Sequence, residues 1–231
     1  MIAKLPLWLY PFILFSVFGL TMAYKKVATL VSAGPVLRWF LTPQHSGAVS
    51  YTLIGMLVCG AIWLWADRGG FTDRIVPFAR PRLKYWLWAI VALVVTWAMP
   101  PAYTRFIISL GLHGRSYHIR DPEIFAMVTV YAVLIGPACE EILFRGFGIG
   151  YLMARDVNRW LAGGIVMVPF LLIHLPTFGP GGVLLVLPFT LAVTVLRIVS
   201  GNLTPGLILH VMNNIVAYLV LPMIWSGGAT T

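Results

Sequence analysis

Apolar residues run along this chain in long blocks separated by short basic or Pro/Gly-rich connections. About 20 apolar residues let an α-helix cross a hydrocarbon core ~30 Å thick. The first such block is Leu5 to Tyr24, with Lys4 before it and Lys25-Lys26 after it. Thr21-Met22-Ala23 mimics a signal-peptide cleavage site, but the apolar core is long for one. Further spans are predicted from Ala48 to Ala66 and from Leu83 to Tyr103, where Trp86, Trp88 and Trp97 sit as interface anchors would. Asp121-Pro122-Glu123 then opens a helix, with Asp121 as cap and Pro122 in the first turn. As one helix, the apolar stretch 124–154 would be about 46 Å long, so tilt, protrusion or a kink near Gly136-Pro137 is expected.

Residues 160–196 carry no Asp, Glu, Lys or Arg, yet they must hold two spans joined by the turn Pro176 to Gly182. A last span, Leu203 to Pro222, is introduced by Asn202 and Pro205. The pattern predicts an all-α, polytopic transmembrane helical bundle of seven spans, with a polar active-site cavity within the membrane. An eighth span could lie in the 25–47 connection, which also suits an interfacial helix, or in 105–121.

Composition agrees: the 231 residues are 60% hydrophobic and only 10% charged, which describes one membrane domain and not a soluble one. Basic residues outnumber acidic ones 16 to 7. They lie in connections between spans, where orientation signals belong, so a nucleic-acid partner is not implied; the lipid bilayer is. The most basic loop holds Arg68, Arg74, Arg80, Arg82 and Lys84 against Asp67 and Asp73, which places it and the N-terminus in the cytoplasm. Arg105, Arg115 and Arg120 then face outward, against that trend. Cys59 and Cys139 both fall within apolar spans, where a disulfide framework or a metal site is not expected.

Two carboxylates interrupt the fourth apolar block, at Glu140 and Glu141, followed by Arg145. Ionisable groups at membrane depth are costly and mark functional sites. Glu141 and Arg145 share a helical face at i, i+4, the spacing of a buried ion pair. Glu140 is turned about 100° away and has no base at i±3 or i±4, so its partner must come from another helix. His174 lies four residues after Phe170, and Asn214 four after His210, so each pair shares a helical face. His45, His113 and His118 sit in connections. Glu140, His174, His210 and Asn214 meet only if three helices pack together. In a flat layer of regular helices His174 and His210 lie near opposite ends of their spans, so an inward displacement of the His174 span, with the turn dipping into the membrane, is expected.

The motifs EExxxR (Glu140, Glu141, Arg145), FxxxH (Phe170, His174) and HxxxN (His210, Asn214), in this order on successive apolar segments, resemble the CPBP (ABI) family. That family includes type II CAAX prenyl endopeptidases, bacteriocin-processing enzymes and bacteriocin-immunity proteins. Pro137, Phe144-Arg145-Gly146 and Gly201-Asn202-Leu203 fit as flanks. The resemblance covers residues 121–222, a catalytic helical core, and leaves 1–120 as a variable N-terminal transmembrane region and 223–231 as a tail.

It implies an intramembrane glutamic endopeptidase that needs no metal or other cofactor. Glu140 and His174 would hold and activate a water. His210 and Asn214 would face the oxyanion, and Glu141, Arg145 and Phe170 would support the site. The implied substrate is a membrane-associated peptide or protein, with prenylated CAAX-type ends one candidate. The absence of a eukaryote-like extension or retention signal points to an integral protein of a bacterial plasma membrane.

Other readings use the same residues. Glu140, His174 and His210 could bind zinc, although HExxH is absent. Cys139 could serve as a thiol nucleophile, and His174 with His210 could hold a haem. A membrane scaffold, an immunity protein or a transporter-like binder could also use a buried Glu, His and Asn.

Overall fold

The computed structural model describes residues 5–30, 43–113 and 129–220. The expected helix start at Asp121-Pro122, residues 31–42 of the 25–47 connection, residues 114–121 of the 105–121 connection, His118 and the 223–231 tail fall outside them. So does the side chain of His45. All regular structure among the described residues is helical.

Helix α1, Leu9–Leu30, buries Tyr10, Leu14, Val17 and Thr21, one stripe at i, i+4, i+7 and i+11. Phe12, Leu20, Met22 and Val27 on its other faces are exposed, as lipid-facing residues are. Helix α2, Pro43–Arg68, packs beside it and buries Cys59, Ile62 and Ala66.

The basic connection after α2 is a strap across one end of the bundle. Phe71 is buried edge-on against Trp65, and a single turn, α3 (Thr72–Ile75), follows. Beyond it, Leu203 N–H donates to Pro77 O at 2.9 Å. The Asn202 side chain pairs with both backbone groups of Ala79, donating at 2.7 Å and accepting at 3.2 Å. Helices α4 (Leu83–Ala98) and α5 (Pro100–Ser109) come next, and the pair is bent by 51°. Their apolar faces, including Leu87, Val91, Val94 and Phe106, are largely exposed.

Helix α6 is a continuous helical run over 129–153 that alternates π and α turns. Thr129–Ile135 is π, Gly136–Glu140 α, Glu141–Gly148 π and Ile149–Met153 α. π turns inside α-helices are rare and recur at functional sites. The strap's backbone lies directly on this helix. A Cβ at Gly146 would meet Ile75 O, and one at Gly150 would come within 2.6 Å of Arg74 O, so both glycines are needed for close approach.

Helix α7, Arg159–Ser200, begins at Asn158, whose side chain accepts from Trp160 N–H at 2.9 Å. Its 42 residues are two helices in sequence, because Gly179 has φ 69 and ψ 175, a conformation open essentially to glycine alone. The halves fold back on each other, since a Cβ at Gly163 would touch Thr194 and Ile198. The expected two spans are therefore joined at one residue, where a seven-residue turn had been anticipated. Gly181 N–H donates to His113 O at 3.2 Å, tying the bend to the segment after α5. Helix α8, Thr204–Ile215, ends the bundle and continues in the π turn Val216–Val220.

Among the described residues two helical stretches, Ser50–Arg68 and Arg159–Ser200, are long and apolar enough to cross a membrane; the bent α4–α5 pair makes a third. The expected seven are not all matched by that measure, for local reasons. α7 merges two spans, π turns divide α6, and α1 and α8 contribute the shorter apolar stretches Leu9–Tyr24 and Thr204–Val220. The start of α1, the strap, the α6–α7 turn and the α7–α8 turn gather at one end. There Leu5 O accepts from Tyr151 Oη at 2.7 Å and from Arg155 Nη2 at 2.6 Å. Arg68, Arg74, Arg80, Arg82, Lys84, Arg155 and Arg159 belong to this end.

Candidate active site

The acidic pair sits where α6 passes from an α turn into a π turn, and its two carboxylates take partners from other helices. Glu141 is fully buried. Its Oε1 accepts from His210 Nδ1 of α8 at 2.8 Å and lies 3.4 Å from Arg145 Nη1. Gly206 allows this approach, since a Cβ there would stand 3.4 Å from Glu141 Oε2 and 3.1 Å from Val193 Cγ1. Arg145 is also fully buried, and its guanidinium covers the face of Phe170 at 3.9 Å. A second buried cation, Arg197, donates from Nε to Arg145 O at 3.1 Å and from Nη2 to Arg74 O at 3.4 Å. The buried Glu141 carboxylate thus has Arg145 and His210 beside it, which lowers the cost of burying the pair, while Arg197 gives its donors to backbone carbonyls.

Glu140 points elsewhere. Its Oε2 lies 3.6 Å from His210 Nε2, beyond hydrogen-bond range, and its Oε1 accepts from Tyr51 Oη of α2 at 2.5 Å. A small cleft beside it is lined by Leu14, Val17, Phe18, Tyr51, Ile173 and the flanking residues of α6.

The ring of Phe170 is the hub of the site. Its centroid is 4.7 Å from that of His174, 6.3 Å from His210 and 5.2 Å from Phe144. The two histidines therefore flank one aromatic ring, despite the separation that a flat layer of regular helices would give them. Phe178 stacks on the other side of His174, and Phe189 meets His210 edge-on.

Hydrogen bonding assigns the tautomers. His174 Nδ1 lies 2.7 Å from Phe170 O, which can only accept, so Nδ1 carries hydrogen and Nε2 of the neutral ring offers a lone pair. His210 Nδ1 donates to Glu141 Oε1 in the same way, and its Nε2 is also a bare acceptor while the ring is neutral. Both Nε2 atoms and Glu140 Oε2 can then accept hydrogen from a water. His210 becomes a donor at Nε2 only as the imidazolium.

Asn214 uses one N–H on Ala132 O at 2.7 Å, and its Oδ1 accepts from Asn213 at 3.2 Å; one amide hydrogen remains. Among the described residues no three His, Cys, Asp or Glu side chains are grouped to hold a metal ion. His113 is exposed at the far end, beside the Gly179 bend. Cys139 is buried and its carbonyl accepts from Cys59 Sγ at 3.4 Å. Sequence reasoning missed Tyr51. A lone tyrosine in an apolar span, one of nine in the chain, carries no spacing signal.

A family model described as Rce1-like, type II CAAX prenyl endopeptidase Rce1-like, matches residues 122–216, a segment that holds Glu140, Glu141, Arg145, Phe170, His174, His210 and Asn214. No curated protein and no solved structure matches the chain. With its long apolar helices the chain is an integral membrane protein, and over residues 122–216 it is similar to the type II CAAX prenyl endopeptidase Rce1-like family of membrane proteases.

Proposed function

We propose that the protein is an intramembrane glutamic endopeptidase that hydrolyses a peptide bond of a membrane-associated protein or peptide. The observation that carries this reading is a convergence of three helices: His174 from α7 and His210 from α8 flank the Phe170 ring, and Glu140 Oε2 from α6 lies 3.6 Å from His210 Nε2.

A water held by Glu140 Oε2 and His174 Nε2 attacks the peptide carbonyl while Glu140 takes its proton. The tetrahedral oxyanion faces the remaining N–H of Asn214. It also faces His210 Nε2, which donates as the imidazolium stabilised by Glu141. Collapse breaks the C–N bond, and the leaving amine takes a proton from Glu140. Glu141 holds His210 as a carboxylate orients the histidine of a hydrolytic triad, fixing its tautomer and supporting its charge.

We count seven crossings: α1, α2, the bent α4–α5 pair, α6, the two halves of α7, and α8. Residues 1–120 frame the catalytic core 121–222, and a polar cavity opens at membrane depth. The basic end faces the cytoplasm of a bacterial plasma membrane. Prenylated CAAX-type substrates are the first class to try, because the family model that matches residues 122–216 is that of type II CAAX prenyl endopeptidases.

The test is a comparison of membrane proteins from cells carrying the wild type and Glu140→Gln. Uncleaved precursors should accumulate in the variant, with the same ends in His174→Ala. Identical proteomes with an intact cellular phenotype would favour a non-proteolytic scaffold or immunity role for the same polar cluster.

A further inference from the structure

Glu140 is held from outside the family-matched segment, by a residue of the N-terminal half. Tyr51 Oη on α2 donates to Glu140 Oε1, and the Tyr51 ring is braced edge-on by Tyr131 at 5.8 Å between centroids. The same tyrosine lines the cleft in which Glu140 is the acidic wall. The terminal torsion of a glutamate is broad and roughly two-fold, so without a fixed partner neither oxygen is singled out. A donor fixed on Oε1 removes that ambiguity and turns Oε2 toward His210.

We infer that Tyr51 is a positioning residue for the reaction: its phenol holds Glu140 Oε1 so that Oε2 alone meets the water and the histidines. The inference rests on the reading of Glu140 as the general base. It gives the N-terminal region, which carries none of the family motifs, a direct part in the site. A base whose free oxygen wanders loses turnover more than substrate binding, since misplacement acts on the reacting geometry.

Two measurements on the purified full-length protein test this. The first is infrared difference spectroscopy. The carboxylate band assigned to Glu140 by its loss in Glu140→Gln should move in Tyr51→Phe and stay in place in Tyr10→Phe. Tyr10→Phe removes a comparable hydroxyl, one that donates to Gly148 O, away from Glu140. The second is turnover of a membrane-anchored peptide. Tyr51→Phe should lower kcat about 10- to 100-fold with KM nearly unchanged, the loss of one hydrogen bond to a charged group. Tyr10→Phe should lower thermal stability without that kcat loss.

An unmoved band overturns the inference without any turnover measurement. So does a wild-type kcat in Tyr51→Phe while Glu140→Gln is inactive, and in that case the protease reading survives. Full turnover by Glu140→Gln removes the base reading and this inference with it.

Discussion

Removing Arg145 alone should be far more damaging than removing its charge together with that of Glu141. Both side chains are fully buried. The guanidinium supplies the 3.4 Å ion pair to Glu141 and covers Phe170 at 3.9 Å. Arg145→Met fills much of the same volume but leaves the Glu141 carboxylate with His210 and the more distant Arg197 as its remaining partners. Breaking a buried pair from one side costs about 3–5 kcal/mol. Loss of a desolvated cation from the Phe170 face adds to that by up to about 2 kcal/mol. An expected destabilisation of about 4 kcal/mol is a large share of the whole stability of a domain.

Adding Glu141→Gln in the same chain removes the orphaned charge, and glutamine can still accept from His210 Nδ1. The double variant should therefore recover to within about 1.5 kcal/mol of wild type, as apolar replacements of buried pairs often do. Equilibrium unfolding in mixed micelles or by steric trapping in bilayers, for the two singles and the double, gives the coupling directly. The reasoning is refuted if Arg145→Met unfolds like the wild type. It is refuted equally if the double variant is as unstable as the sum of the singles.

Two further substitutions probe the strap. Gly146→Ala puts a methyl onto Ile75 O, with backbone on both sides and no side chain free to yield, so about 1–3 kcal/mol should be lost. Limited proteolysis should then cut first within 69–82, and an uncut strap would refute the contact. Asn202→Ala removes both bonds to Ala79 and the acceptor that Thr204 N–H uses at 2.9 Å. Amide exchange at Ala79 and Thr204 should rise well ahead of the rest of the chain; unchanged protection would show that the strap is held by other contacts.

Much of the architecture is legible in the sequence because apolar blocks and i, i+4 spacing are local signals. The apolar block of α1, the uncharged stretch that α7 occupies and the opening of α8 after Asn202 with Pro205 are of this kind. That Glu140 needs a partner from another helix follows from the residues around it. Which helix supplies that partner does not follow, and Tyr51 is visible only once α2 is seen against α6.

The π turns of α6 and the strap over Gly146 and Gly150 are also long-range outcomes. They arise where backbone meets backbone, and a glycine in an apolar run does not announce what it approaches. The role of His210 needed geometry as well. Spacing pairs it with Asn214, whereas the fold gives its Nδ1 to Glu141 and makes it a donor at Nε2 only when charged.

The central claim is that Glu140 and His174 act on a water to cut a peptide at membrane depth. Its most direct measurement is cleavage of a fluorogenic prenylated CAAX peptide by the purified protein in liposomes. The wild type, Glu140→Gln and His174→Ala should be run side by side, with and without a chelator. The account predicts cleavage by the wild type that survives the chelator and falls by at least about 100-fold in both variants, the scale of general acid–base catalysis. Cleavage that persists in Glu140→Gln, or that the chelator abolishes, would contradict it.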